Sequence, residues 1–441
     1  MKIAVIGSGI AGNFAAYQLS QNYDVTVFEK NDYVGGHTHT HEINWQGESH
    51  RIDSGFIVFN KKTYPNFLNL LEELDVDYQP TNMSFSVKCE KTGLEYNGTT
   101  LNSLFAQRRN LLRPSFYRMI KDILRFNQES LELLVEDASP ISLGEYLAKN
   151  GYSEQFVNHY IVPMGAAIWS TDHQSMFAFP AKFFVRFFHN HGMLSVDERP
   201  QWYVIKNGSK SYLDALTESY SDNIKTNSSV ESIERDGEKV WVYSNGEKFE
   251  FDYVFIASHS DEALAMLAQP TDAEREVLSA IPYTKNRAIM HVDEAVLPKR
   301  KLAWAAWNYH LQKQKSEQVA LTYNMNILQS LKSQHTFCVS LNYEQNIDES
   351  KIIRSIDYTH PFFSQKGVEA QQRHSEINGT QRTFYCGAYW RYGFHEDGVV
   401  SSIQALSDFN AVLTQDKPRA DIIDLKNYSH EKQILLRSHT A

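Results

Sequence analysis

Six residues near the start of the chain, Gly7-Ser8-Gly9-Ile10-Ala11-Gly12, have the types and spacing to hold a dinucleotide. In such a turn the first glycine allows a tight exit from a strand. The second lets the backbone approach a pyrophosphate, and the third permits close packing of a helix on a sheet. A helix that starts in the turn then offers the diphosphate unpaired N–H groups and a partial positive charge. Glu29 carries a carboxylate suited to accept hydrogen bonds from an adenosine ribose. A carboxylate there favours an unphosphorylated ribose, which disfavours NADP and leaves FAD and NAD.

These groups can act only if a strand, a helix and a second strand position them. The apolar run Lys2 to Ile6 predicts the first strand, about Ile10 to Ser20 the helix, and Asp24 to Phe28 the strand that delivers Glu29. The glycines therefore fall in the βαβ context that the fingerprint requires, and a helix start that merely needs small residues is the weaker reading.

The residues that follow separate FAD from NAD. Glu29-Lys30 leads to Gly35-Gly36-His37-Thr38, and further on to Arg51-Ile52-Asp53-Ser54-Gly55-Phe56. Here the sequence resembles the flavin-containing amine oxidase superfamily, which also holds the phytoene-type desaturases and protoporphyrinogen oxidase. In that superfamily a Glu-Lys segment followed by Gly-Gly-(Arg or His) completes the site for the FAD diphosphate, and a later Asp-x-Gly stretch passes near the flavin. The resemblance implies FAD as cofactor, with Lys30, Gly35, Gly36, His37, Thr38, Asp53, Ser54 and Gly55 beside it.

The resemblance recurs at three further places. Val204 to Ser209 with Tyr212 and Leu216 looks like the superfamily's glycine turn and helix, with Asn207 where a glycine is commoner. Ile224 to Ile233, Lys239 to Tyr243 and Asp252 to Ala257 resemble its β-ribbon and return strand. There Val230 would contact adenine through its backbone, and Ala257 would end the strand beside the cofactor. Thr383 to Ala388, then Gly393 and Gly398-Val399, look like its C-terminal flavin segment, in which a strand ends at Gly387 and a new helix points at the cofactor.

The expected fold class is α/β: a Rossmann-like FAD-binding domain of the glutathione reductase type, interleaved with an α+β substrate-binding domain. The FAD domain is expected from residues 1–75, 205–265 and 376–415. Residues 76–204 and 266–375 would form the substrate domain, and 416–441 a polar C-terminal tail.

Within the inserted segments, Pro163 to Ser170 supplies small residues and Trp169, and Met176 to Phe188 is dense in rings. Relatives build the roof of the substrate cavity from this region. Trp169, Phe179, Phe183 and Tyr389 are accordingly expected to line an apolar cavity, the alternative being an ordinary helical core. Residues 105–126 set Arg108, Arg109, Arg113, Arg118, Lys121 and Arg125 against the single acid Asp122, interleaved with apolar side chains. A solvated helix with one face in the core accounts for this pattern. Contact with an anionic membrane surface is the alternative.

His37, His39 and His41 alternate as a metal site on a strand would want. The resemblance instead makes His37 a flavin-site residue and the other two ordinary polar groups, so no metal is expected. Glu396-Asp397 reads as an acidic pair at a helix start. No residue is assigned as a catalytic base, and no motif names the electron acceptor.

The whole-chain balance agrees with this reading. Among 441 residues, 43 Lys and Arg face 53 Asp and Glu, giving a net charge of -10, which makes nucleic acid a poor partner. Three scattered cysteines suit a reducing setting, and no run reaches the roughly 18 apolar residues that crossing a bilayer takes. A cytoplasmic location is expected, or one peripheral to the inner face of the membrane. The expected activity is FAD-dependent oxidation at a C–H bond of a hydrophobic small molecule or lipid, with an acyl or polyene desaturase in the lead. A flavin amine oxidase and a redox-neutral flavin isomerase or non-catalytic flavoprotein are the alternatives. Within the superfamily, the sequence resembles bacterial FAD proteins that look linked to membrane fatty-acid modification.

Overall fold

Every residue from Ile3 to Ile6 is buried, as a strand covered on both faces must be. In the computed structural model, which describes residues 1–135, 140–196, 199–313, 318–416 and 422–429, this strand is central in a five-stranded sheet. The order across the sheet is Ile224–Lys225, Asp24–Phe28, Lys2–Ile6, Tyr253–Ile256 and Thr383–Tyr385, with every pairing parallel. Ile3 and Val5 face the helices Ile10–Ser20 and His395–Asp416, packing with Phe14, Ile403 and Phe409. Ala4 and Ile6 face the other way, toward Val230, Val242 and Phe251 of a three-stranded antiparallel ribbon. The opening strand, helix and second strand form at the residues expected from sequence.

A seven-stranded sheet joins segments far apart in the chain. Its order is Ile352–Pro361, Tyr283–His291, Cys338–Leu341, Leu321–Asn324, Trp307–Leu311, Phe85–Cys89 and Leu94–Asn97. All neighbours are antiparallel except Phe85–Cys89 beside Trp307–Leu311. Helices from 114–190 cover one side, where Phe126, Phe156 and Phe184 pack with Val87 and Tyr309 of the sheet. The hairpin Thr40–Trp45 and Glu48–Asp53 packs Ile43 and Ile52 against Ala288 and Met290 of this sheet.

Two local details sharpen the sequence reading. Asn207, standing where a glycine is commoner, adopts a left-handed φ of 63°, a region asparagine tolerates better than most side chains. The strand holding the alternating histidines begins only at Thr40, so His41 is on it while His37 and His39 lie in the preceding loop. Among the described residues no helix is long and apolar enough to cross a membrane.

Candidate functional site

The carboxyl ends of the parallel strands and the large antiparallel sheet share one cavity of about 1320 Å³, lined by Ile6, Phe28 and Ala257 on one side and Tyr283, Tyr358 and His360 on the other. In open α/β sheets this end of the strands is where ligands bind. The volume exceeds what a single drug-sized ligand fills, leaving room for a dinucleotide and a substrate together.

The glycine turn is shaped by contacts that admit no side chain. Gly7 holds a φ of 99°, and a Cβ on Gly12 would lie 1.9 Å from the Gly7 carbonyl oxygen. Gly9 is the N-cap of the helix Ile10–Ser20, with no side-chain cap and no acid in the first turn, and a Cβ there would meet nothing within 4 Å. That open space, bounded by uncapped N–H groups, fits a diphosphate.

Glu29 is held in place by neighbours from both sides. Its Oε2 accepts the Ser8 N–H at 3.0 Å and the Ser8 hydroxyl at 2.6 Å, while Oε1 accepts the Asn31 N–H and side-chain amide. Ser8 Oγ also accepts the Gly35 N–H at 3.1 Å, linking the glycine turn to the Gly35-Gly36 pair. His37 Nε2 is buried with no hydrogen-bond partner among the described residues, and the ring lines the cavity. An orphaned polar atom there fits a ligand that carries polar groups of its own.

Of the residues expected at the cofactor, Gly7, Ser8, Gly9, Ile10, Ala11, Glu29, Lys30, Gly35, Gly36, His37, Gly55, Val230, Ala257 and Gly387 line the cavity. Gly12, Thr38, Asp53, Ser54, Gly398 and Val399 are not on its surface. Gly12 and Val399 are packing positions, and a Cβ on Gly398 would lie 2.8 Å from Ile10 Cγ2, so two helix N-termini meet there. Asp53 accepts from the Ser209 N–H and hydroxyl, from Thr40 and from the Gln329 amide, and burial pushes its carboxyl up to about 6. Ser54 Oγ lies 2.7 Å from both His41 Nε2 and the Tyr358 hydroxyl.

Thr38 Oγ1, the Tyr212 hydroxyl and His395 Nε2 form a buried triangle with sides of 2.5, 2.8 and 3.0 Å. His395 lines the cavity and stacks on Phe56 at 3.5 Å, and burial pushes it down to about 3. Burial likewise pushes His191 and His360 down to about 4 and lowers His37 and His259, all on the cavity surface. These imidazoles are neutral at neutral pH.

Trp169 and Tyr389 line the cavity, but Phe179 and Phe183 do not. Phe179 is fully buried behind Trp169, with ring centroids 4.6 Å apart, and Phe183 is packed between Phe363 and Tyr392. Tyr389 packs with Ile256, Tyr385 and Trp390 on the sheet side, not among the roof rings. Trp169, Tyr392 and Phe394 gather around Phe187 at ring-centroid distances of 4.9, 5.6 and 5.0 Å, and these four rings form one wall of the cavity. Phe187 follows Phe183 by four residues along the helix Ala181–Asn190 and falls within the ring-dense stretch, whereas nothing local in the sequence marks Phe394.

Two carboxylates lie behind this wall. Glu396 accepts the Asn66 and Phe67 N–H groups and so caps the helix Pro65–Glu73, while Asp397 accepts the Phe394 N–H. Burial pushes Glu396 up to about 8 and Asp397 up to about 6. Among the described residues, the carboxylates that do line the cavity are Glu29, Glu262, Glu344 and Asp357, none of them part of the ring wall.

A sequence profile of the flavin containing amine oxidoreductases matches residues 10–341. The chain belongs to this family. Its cofactor is FAD, and it is an FAD-dependent oxidoreductase. Over 96 residues it is 38% identical to a 1-hydroxycarotenoid 3,4-desaturase of Flavobacterium sp. (strain P99-3), a match spanning 22% of this chain and 18% of that protein.

Solved structures share the fold of this flavoprotein over most of its length. Cyclohexylamine oxidase from Brevibacterium oxydans IH-35A superposes with a TM-score of 0.68 at 13% identity, covering 92% of this chain and 98% of that one. The CLA-producing fatty acid isomerase from P. acnes gives 0.66 at 16% identity, with the same coverage. At these identities the likeness is one of fold alone.

Proposed function

We propose that this flavoprotein removes two hydrogens from a hydrophobic substrate, and that the substrate is a lipid acyl or polyene chain. The observation that carries this reading is the wall of Trp169, Phe187, Tyr392 and Phe394, which brings four rings and no ionised group to the cavity beside the nucleotide site. Bound FAD supplies the hydride acceptor.

The protein's own part is to hold an apolar chain against that acceptor and to keep water out, which the rings do by their bulk. The Trp169 indole is fixed by donating to the Tyr392 carbonyl at 3.2 Å, so the wall is rigid where the substrate meets it. The proton that leaves with the hydride needs a base. His37 and His360 are neutral imidazoles on the cavity surface, and His37 Nε2 has a lone pair or an N–H to offer, depending on its tautomer. The partial likeness to a carotenoid desaturase supports a chain-like apolar substrate.

An amine is the second reading, favoured by the family to which the chain belongs. An ammonium ion would find no carboxylate on the ring wall, so an amine held there would suit it only in its neutral form. The two readings separate on product analysis. With an artificial electron acceptor, the lipid reading predicts a polyene or acyl product lighter by two hydrogens. Peroxide release on an amine panel with lipids untouched would overturn it, as would an isomerised lipid of unchanged mass.

A further inference from the structure

The net charge of the chain is -10, yet one surface strip is both basic and apolar. Arg108, Arg109, Arg118 and Lys121 are exposed, Arg113 is partly so, and none of them joins an ion pair among the described residues. The single acid of the segment, Asp122, is buried, accepts the Ser153 N–H and pairs with Arg125, so it does not neutralise the strip.

Large apolar side chains stand in water among these cations. Leu101 is 78% exposed and Leu112 88%, while Leu111, Tyr117 and Leu124 are each nearly half exposed. Scattered single leucines on a surface are ordinary, but here they are neighbours. Arg108 donates to the Asn102 side chain beside Leu101, and the Tyr117 hydroxyl donates to the Leu111 carbonyl at 3.1 Å. Tyr117, Lys121 and Leu124 then follow at helical spacing along one side of the helix Pro114–Glu129, whose opposite side buries Phe116, Met119 and Phe126.

We infer that this strip docks on an anionic lipid bilayer, with the leucines entering the boundary between headgroups and acyl chains and the cations meeting lipid phosphates. Charge complementarity selects this occupant. A nucleic acid would match the cations and leave protruding leucines without apolar partners. A second copy of the chain, pairing about a two-fold axis, would set one basic strip against another. The inference does not depend on what the flavin oxidises.

Flotation tests it. The full chain loaded with FAD is mixed with vesicles of equal parts phosphatidylcholine and phosphatidylglycerol, or of phosphatidylcholine alone, and spun through a density gradient. The protein is expected to float with the anionic vesicles only, and to be released when salt screens the charges. Leu112→Asp weakens binding, and Arg118→Glu with Lys121→Glu weakens it by about fivefold or more for each cation removed, while the flavin spectrum and thermal midpoint stay as in the parent. Failure to float with anionic vesicles overturns the inference. Equal binding to both vesicle types overturns it too, as does a dimer in solution that Leu112→Asp splits without any vesicle binding.

Discussion

The Ser8 hydroxyl donates to Glu29 Oε2 at 2.6 Å and accepts the Gly35 N–H at 3.1 Å, so one buried side chain ties together the three loops around the nucleotide end of the cavity. Ser8→Ala takes a donor from a buried carboxylate and an acceptor from a buried N–H. A hydrogen bond to a charged group is worth about 1.5–3 kcal/mol, so FAD affinity is expected to fall roughly tenfold to a hundredfold. Titration of the apoprotein with FAD, followed by flavin fluorescence, measures this. Unchanged affinity would show that the three loops hold their places without Ser8.

Gly9 and Gly12 are expected to fail in different ways. A Cβ on Gly9 meets no protein atom within 4 Å, so Gly9→Ala should fold with near-parent stability and lose FAD, because the methyl occupies the space beside the helix N-terminus. A Cβ on Gly12 would lie 1.9 Å from the Gly7 carbonyl oxygen, so Gly12→Ala should destabilise the apoprotein itself. Denaturant unfolding of the two apoproteins separates them. A Gly9→Ala protein that keeps FAD would place the diphosphate elsewhere.

Outside the cavity lining, Arg235 and Glu274 form a bidentate pair with side chains 2% and 0% exposed, and Tyr385 donates to the same carboxylate at 2.6 Å. Glu274→Ala leaves the guanidinium buried and unpaired, at an expected cost of about 3–5 kcal/mol. Replacing both partners with apolar side chains of similar size should cost much less. Comparable losses in the single and double variants would contradict this account of the pair.

Stability should fall in acid. Burial holds His41 and His395 at about 3, and His191, His291 and His360 at about 4, below the ordinary 6.5 of an unfolded histidine. The unfolded chain then binds protons that the folded one refuses, so this stabilisation is full above about pH 6.5 and is lost as the pH drops toward 4. Asp53, Glu396 and Asp397, raised to about 6, 8 and 6, act in the opposite sense, gaining as pH falls. The five imidazoles outnumber these three carboxyls. Each imidazole contributes a slope of up to about 1.4 kcal/mol per pH unit inside its window. Urea midpoints across this range check the sign, and His291→Asn should flatten the slope by about one proton.

What the sequence disclosed, and what it withheld, follow from how local each constraint is. Gly7, Gly9 and Gly12 were legible because a strained φ, an open approach to a ligand and a tight backbone contact fall within six residues, and the unbroken apolar run from Ile3 to Ile6 told which strand carries them. The ring wall was half legible. Composition shows that rings are abundant near 176–188, but it does not show that Phe179 turns behind Trp169 while Phe187 faces the cavity. The triangle of Thr38, Tyr212 and His395 had no local signal, since its members are brought together across as many as 357 positions. The same holds for Gln329, whose amide binds Asp53 from 276 positions away.

In the proposed reaction, an apolar chain held on the wall of Trp169, Phe187, Tyr392 and Phe394 gives up hydride to the bound cofactor. Anaerobic mixing of the FAD-loaded protein with purified polyene and acyl lipids, followed through the visible flavin band, tests it most directly. Bleaching by one lipid class, slowed in Phe187→Ala and absent with amines, is the predicted result. A flavin that stays oxidised with every lipid and bleaches with an amine would contradict it.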